Sequence, residues 1–335
     1  MAMHDTILEV RNLCIAFHHP EGVVRAVDGV SFSIQRGEIV GLVGESGAGK
    51  TLTSEAILRL IRCPPGQISG EILYAGRDLL QLDETVLADI RGKKIAMIFQ
   101  NPMSSLNPVF RVGAQLLEAM RLHLPERRQT LWERALDIFT RVGIPSAERR
   151  AQDYPHQFSG GMCQRAMIGM GIACAPSLLV ADEPTTALDV TIQAQILALI
   201  RRLAAELGMA VLLVSHDLGI ISQMCHRVIV MYAGKIVEEA PMATIFHTPE
   251  HPYTRGLMAC IPRLGDAPAR LGSIAGVMPG LRDIPSGCRF HPRCPIADPR
   301  CAVEEPTLRP LTDSHRVACH LAGGTFPAPR GSGSG

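Results

Sequence analysis

The chain has 335 residues, 47% of them hydrophobic and 19% charged, with a formal net charge of +1. These values describe a packed protein of one large domain with an appendage, or of two domains, and exclude a disordered chain. A charge so near zero leaves no basic field for holding nucleic acid by its phosphates.

The opening "MAMHDTILEV" lacks the apolar core of a secretory signal. The longest weakly polar run, 167–181, contains Pro176; it is too short to span a bilayer and reads as a buried helix followed by a core strand. Both features point to a cytosolic protein with reduced thiols. Cys14, Cys63, Cys163, Cys174, Cys225 and Cys260 lie scattered in apolar context and read as small buried hydrophobes. The terminal "GSGSG", 331–335, reads as an appended linker.

"ILEVRNLCIAF" and "VSFSI" alternate side-chain character with period two, the pattern of half-buried strands. "GEIVGLVGESGAGKT" then predicts a short apolar strand, a glycine-rich turn and a helix through "LTSEAILRLI". Another strand, "KIAMIF" (94–99), ends at Gln100. From about 101 to 170 the pattern becomes helical: Val112, Leu116, Met120 and Leu124 recur every fourth residue, and Leu131, Ala135, Ile138 and Val142 form a second stripe. Strands and helices alternate again through "SLLVAD", "TIQAQILALIRRLAAEL" (stopped at Gly208) and "MAVLLVS". The fold class is therefore α/β, a core over 1–260 with an inserted helical subdomain, and "GESGAGKT" within it is the phosphate-loop pattern of a P-loop NTPase. Pro262, Pro268, Pro279 and Pro285 mark 261–330 as a small, loop-rich C-terminal domain.

"GESGAGKT" fits the P-loop pattern, with a strand running in and a helix running out. Gly44, Glu45, Ser46, Gly47, Ala48, Gly49, Lys50 and Thr51 are expected to wrap a phosphate chain. The glycines let backbone N–H groups converge on phosphate oxygens, and the helix adds its positive end. Lys50 bridges the terminal phosphates, and the Thr51 hydroxyl ligates Mg²⁺. In "LLVADE" a buried strand ends in two carboxylates, which an apolar strand does not tolerate without a task. Asp182 is placed to hold Mg²⁺, and Glu183 to act as general base on the attacking water. "FSGGMCQR" opens a second helix on a glycine turn, a second anion site that reads as too distant to serve this chain's own nucleotide. "LLVSHD" puts His216 at a strand's C-terminal end, where it can contact a γ-phosphate.

Taken in order, these residues resemble the ATP-binding subunit of an ABC transporter: Walker A "GESGAGKT", Q-loop Gln100, signature "FSGGM", Walker B "LLVADE", D-loop "ALD" and switch His216. The resemblance spans roughly residues 7–260. It implies that two such subunits pair head to tail, so that Ser159, Gly160, Gly161 and Met162, with Asp189, complete the ATP site of the partner. It implies that Gln100 senses Mg²⁺ and the γ-phosphate, while the stretch after "NPMSSLNP" passes motion to a membrane subunit. Met162 stands where the family usually has Gln, and Phe17 is the candidate for a stacking aromatic that is usually Tyr.

"HPYTRGLMACIP" and "GCRFHPRCP" resemble the C-terminal extension of ATP-binding subunits from dipeptide and oligopeptide importers. That subfamily implies two transmembrane permease subunits, a second homologous ATP-binding subunit in a heterodimer, and indirect work with an extracytoplasmic binding protein. The place is the cytoplasmic side of a bacterial inner membrane, as a peripheral protein, without nucleic acid. Nickel or glutathione is the alternative cargo, and a non-transport ABC ATPase the alternative class. Cys288, Cys294, Cys301 and Cys319, separated by five, six and seventeen residues, lack the tight pairs of zinc knuckles. They suit a [4Fe–4S] cluster, which the resemblance favours. Zn²⁺, free thiols and an oxidised pair are the other readings, with His291 and His320 as alternative ligands. A structural staple for the loop-rich tail is favoured over redox control.

Overall fold

The computed structural model describes residues 5–186, 188–261 and 274–324. The expected linker at 331–335, together with Pro262, Pro268 and Ala187 of the "ALD" stretch, lies outside the described residues. The strands are β1 (Thr6–His19), β2 (Gly22–Gln35), β3 (Ile39–Val43), β4 (Gly66–Tyr74), β5 (Arg77–Asp78), β6 (Ile95–Ile98), β7 (Leu178–Asp182), β8 (Ala210–Ser215), β9 (Arg227–Tyr232), β10 (Lys235–Pro241), β11 (Arg309–Thr312) and β12 (His315–Val317). The chain divides into two compact units. One holds residues up to Glu9, Ser33–Ile39 and Leu73–Val214; the other holds Val10–Phe32, Val40–Ile72 and the chain from Ser215 onward.

In the first unit β6, β7 and β8 run parallel, with Ile98 opposite Ala181 and Asp182 opposite Val214. Every residue of β7 and β8 is buried, as parallel strands covered on both faces require. Helix Gly160–Ile172 lies on β6 and β7, so closely that a Cβ on Gly171 would stand 3.5 Å from Leu179 and 3.6 Å from Ile98. Helices Val112–Arg121 and Arg128–Arg141 bury Val112, Leu116, Met120, Leu131, Ala135 and Ile138, the stripes their spacing pointed to. The first stops at Arg121, short of Leu124; Pro125 disfavours helix at the residue before it. Helix Val190–Leu207 begins where the Asp189 carboxylate accepts the Ile192 N–H at 2.9 Å, and ends on Gly208 at φ +61. Both ends use standard capping chemistry.

In the second unit β3 is parallel to β9, and β10 returns antiparallel beside β9. The turn between them, Ala233 and Gly234, has φ of +44 and +83, the twist a two-residue hairpin prefers. The tail adds to this sheet: β12 pairs with β10, and β11 with β12. Val317, Cys319 and Ala322 form a small buried cluster there, with Leu311 and Leu321 packed against it. Of the six scattered cysteines only Cys163 and Cys225 are buried, and Cys63 is exposed. No helix among the described residues is long and apolar enough to cross a membrane.

Candidate nucleotide site

The fully buried strand β3 delivers the chain to Gly44, and the helix Lys50–Ile57 leaves from Gly49. Two glycines are needed where they stand. A Cβ on Gly44 would lie 2.2 Å from the Met231 carbonyl oxygen, and Gly49 sits at φ +98 without a side-chain cap for the helix it opens. The first-turn N–H groups of that helix therefore have no capping side chain, the arrangement that suits an anion. The loop's back rests on the β9–β10 turn, where Gly234 N–H donates to the Ala48 carbonyl at 2.9 Å. Lys50 is 4% exposed. Its Nζ curls back over its own loop to the carbonyls of Gly44 and Glu45, at 2.8 and 3.0 Å.

Residues far along the chain hold Glu45. Its N–H donates to the Tyr253 hydroxyl at 2.8 Å, and its Oε2 accepts from Arg293 at 3.0 Å. Tyr253 belongs to helix Pro252–Ala259, whose cap is His251 Nδ1 accepting the Tyr253 N–H. The N–H groups of Glu250 and His251 go to the buried Glu238 carboxylate, at 2.7 and 2.9 Å, and His315 Nε2 meets the same group at 2.8 Å. His251 is buried, and desolvation pushes its pKa down to about 3. It is therefore a neutral acceptor, not a cation. Tyr253, Arg293 and the Glu238 hub were missed in the sequence because neither "HPY" nor "HPRC" advertises a partner hundreds of residues upstream.

In the first unit, parallel neighbours β6 and β7 set Gln100 and Glu183 side by side. Gln100 Nε2 donates to Glu183 Oε2 at 2.7 Å, and the Thr186 hydroxyl donates to the same oxygen at 3.0 Å. The Glu183 backbone lies at φ +46 while its N–H is tied to the Val214 carbonyl at 2.9 Å. A non-glycine residue held in that region stores strain that surrounding bonds must offset. Asp182, one residue earlier, is 3% exposed. In the first unit the Asp182 carboxylate and the oxygen end of the Gln100 amide are hard-oxygen donors of the kind that suits Mg²⁺, and in the second unit the Thr51 hydroxyl is another.

Ser159 is the cap of helix Gly160–Ile172, its hydroxyl accepting the Met162 N–H at 3.3 Å. Ser159 and Gly160 are exposed, leaving the helix N-terminus open to solvent. Only the backbone of Met162 takes part in this cap. Gly161 packs on the helix that Asp189 opens, with Ile192 Cγ2 3.1 Å from where a Cβ would be. His216 is exposed just past the end of β8. Phe17 lies on β1, partly exposed, its Cε1 3.5 Å from the Cβ position of Gly66.

The metal-cluster expectation is corrected. Among the described residues, which include Cys288, Cys294, Cys301 and Cys319, no group of three or more His, Cys, Asp or Glu side chains is placed to hold a metal ion. All four are free thiols. Desolvation pushes Cys288 and Cys294 up to about 11 and raises Cys301 and Cys319 as well. What organises this loop is hydrogen bonding: Cys288 N–H to the Cys301 carbonyl at 2.8 Å, and the Asp298 carboxylate capping Cys301 at 3.1 Å. The iron–sulfur and zinc readings are both withdrawn.

Residues 27–186 match the ABC transporter family, and 237–301 match the C-terminal region of oligopeptide/dipeptide transporters. The latter segment contains Glu238, His251, Tyr253 and Arg293. The dipeptide transport ATP-binding protein DppD of Escherichia coli is 46% identical over 314 residues, 94% of this chain and 96% of that protein. Its Haemophilus influenzae counterpart is 46% identical over 315 residues, 94% and 95% of the two chains. Among solved structures, the ATP-binding cassette MJ0796, described as a dimer in a post-hydrolysis state with ADP and Pi, superposes with a TM-score of 0.63. It is 26% identical and covers 70% of this chain and 98% of its own. A phosphate loop, a carboxylate turn beside a glutamine, an open serine–glycine helix start and matches across nearly the whole length place the chain in the ABC transporter family, as an ATP-binding protein of the branch that carries the oligopeptide/dipeptide transporter C-terminal region.

Proposed function

We propose that this chain is the ATP-hydrolysing, energy-coupling subunit of an importer for dipeptides or oligopeptides. The observation that carries the reading is the Glu183 turn. A carboxylate with one oxygen held by Gln100 and Thr186, on a backbone at φ +46, is oriented as a base. A subunit that only bound nucleotide would not need it.

Chemically, Glu183 takes a proton from water as the water oxygen attacks the γ-phosphorus. The bond from that phosphorus to the ADP oxygen breaks, and inorganic phosphate and ADP are released. Gly44 to Gly49 present backbone N–H groups to the phosphates, and Lys50 exchanges its carbonyl partners for phosphate oxygens. Thr51, Gln100 and Asp182 would hold Mg²⁺, which neutralises charge on those oxygens. His216 donates to the γ-phosphate from its exposed position past β8, and Phe17 offers a face to the adenine. Ser159, Gly160 and Gly161, with Asp189 bordering them, complete the nucleotide site of a second, homologous subunit; the exposed helix start supports this, as does the dimeric state of the related cassette. Two permease subunits and an extracytoplasmic binding protein complete the machine, with this chain on the cytoplasmic face of the inner membrane.

Reconstitution with its permease subunits in vesicles tests the reading. ATP-dependent uptake of a labelled dipeptide, with dipeptide-stimulated phosphate release, is expected. Stimulation by nickel or glutathione instead would overturn the peptide assignment.

A further inference from the structure

Glu45 poses an electrostatic problem. A carboxylate stands within the loop that receives a polyanion, and its Oε1 is buried without a hydrogen-bond partner. Among the described residues, the cation paired with it is Arg293, whose side chain is 6% exposed. That guanidinium is not a chance surface contact. It donates to the carbonyls of Ala275 and Ile274 at 2.9 and 3.5 Å and to the Tyr232 hydroxyl at 3.4 Å. It also lies over the rings of Tyr232 and Phe290, 5.7 and 5.9 Å from their centroids. Tyr232 packs edge-on against Tyr253 and Phe290 at 4.8 and 5.2 Å, and Tyr253 meets Phe290 in a tilted contact at 5.4 Å, so Arg293 and the Tyr253 hydroxyl approach Glu45 from one aromatic cluster. Met278 Sδ closes on the same loop, 3.9 Å from the Cβ position of Gly47.

We propose that Arg293, acting through Glu45 and seconded by Tyr253, is a positioning residue by which the C-terminal extension sets the ATP affinity of the phosphate loop. Arg293 cancels the Glu45 charge that would repel the phosphates, and Tyr253 takes the Glu45 N–H and so holds the loop's curl. Loss of Arg293 leaves a poorly solvated carboxylate beside the phosphates, and the penalty falls on nucleotide binding rather than on the proton transfer at Glu183. The proposal rests on the reading of Gly44 to Thr51 as the ATP cradle.

The test is the affinity of the full chain for a fluorescent ATP analogue with Mg²⁺, together with KM and kcat for ATP in the assembled transporter. Arg293→Met, which keeps length and apolar contact, is expected to weaken binding and raise KM by about tenfold, the size of one charge-assisted hydrogen bond, with kcat within about twofold. Arg293→Lys recovers part of this. Glu45→Gln in the Arg293→Met background removes the uncompensated charge and returns affinity to within about threefold of the parent. Tyr253→Phe deletes only a hydroxyl, so it reports even if Arg293→Met fails to fold; a rise of about threefold is expected. Lys50→Ala is the control and loses nucleotide binding; if it binds normally, the cradle reading falls and this proposal with it. If Lys50→Ala loses binding while Arg293→Met and Tyr253→Phe bind like the parent, the cradle stands and the proposal is overturned. A folded Arg293→Met whose weakened binding Glu45→Gln does not rescue overturns it too, because a purely structural defect is indifferent to the Glu45 charge.

Discussion

The phosphate loop and the Glu183 turn are held in opposite ways. Glu183 is fastened by Thr186, three residues on, and by Gln100, which lies just past the end of the neighbouring parallel strand β6 and 83 residues away in the chain. Glu45 is fastened by Tyr253 and Arg293, 208 and 248 residues away. The carboxylate turn needs one side chain aimed accurately, and a residue of the same turn together with one at the end of the adjoining strand achieves that. The glycine loop has few side chains of its own, so its shape is borrowed from a distant part of the chain. On the proposed reading, the Glu183 turn is the more local device and the phosphate loop is open to control by the C-terminal region.

Breaking the local device should cost turnover and spare binding. Thr186→Val removes the hydroxyl bond to Glu183 and is expected to lower kcat about tenfold with ATP affinity unchanged, read by phosphate release and nucleotide titration. Breaking the distant device through its acid-sensitive member gives a smaller effect. Between pH 6.5 and about 3 the unfolded chain protonates His251 and the folded chain does not. Stability on its account is thus complete above the ordinary histidine pKa and is lost as pH falls. Glu238, which accepts the His251 N–H, and His315 beside it belong to the same buried group. His251→Asn keeps an acceptor for the Tyr253 N–H but cannot titrate. It should be less stable than the parent at pH 7, and that deficit should shrink by about 2 kcal/mol by pH 5, as measured by urea unfolding. Met162→Gln is the smallest expected change, within about twofold in ATPase rate, because only the Met162 backbone serves the Ser159 cap.

Legibility in the sequence follows the same division. The strands into Gly44 and Asp182, the stripes around Leu116 and Ile138 and the stop at Gly208 are written in short windows, and the structure has them. Arg293 and Tyr253 could not be found that way, since their partner is set by the path of the chain through β9, β10 and the helix Pro252–Ala259. The cysteine spacing misled for a related reason. A count of thiols says nothing of whether they are arranged as ligands, and here Cys319 belongs to a small apolar cluster with Val317 and Ala322. β11 and β12 were also hidden, as strands of four and three residues carry too few alternations to register.

The most direct test of ATP-driven function is Glu183→Gln, with phosphate release and ATP binding measured on the same preparation. If Glu183 is the base, hydrolysis falls by roughly 100- to 10,000-fold while ATP still binds. Hydrolysis at the parental rate, with no other active site in the assembly, would contradict the account.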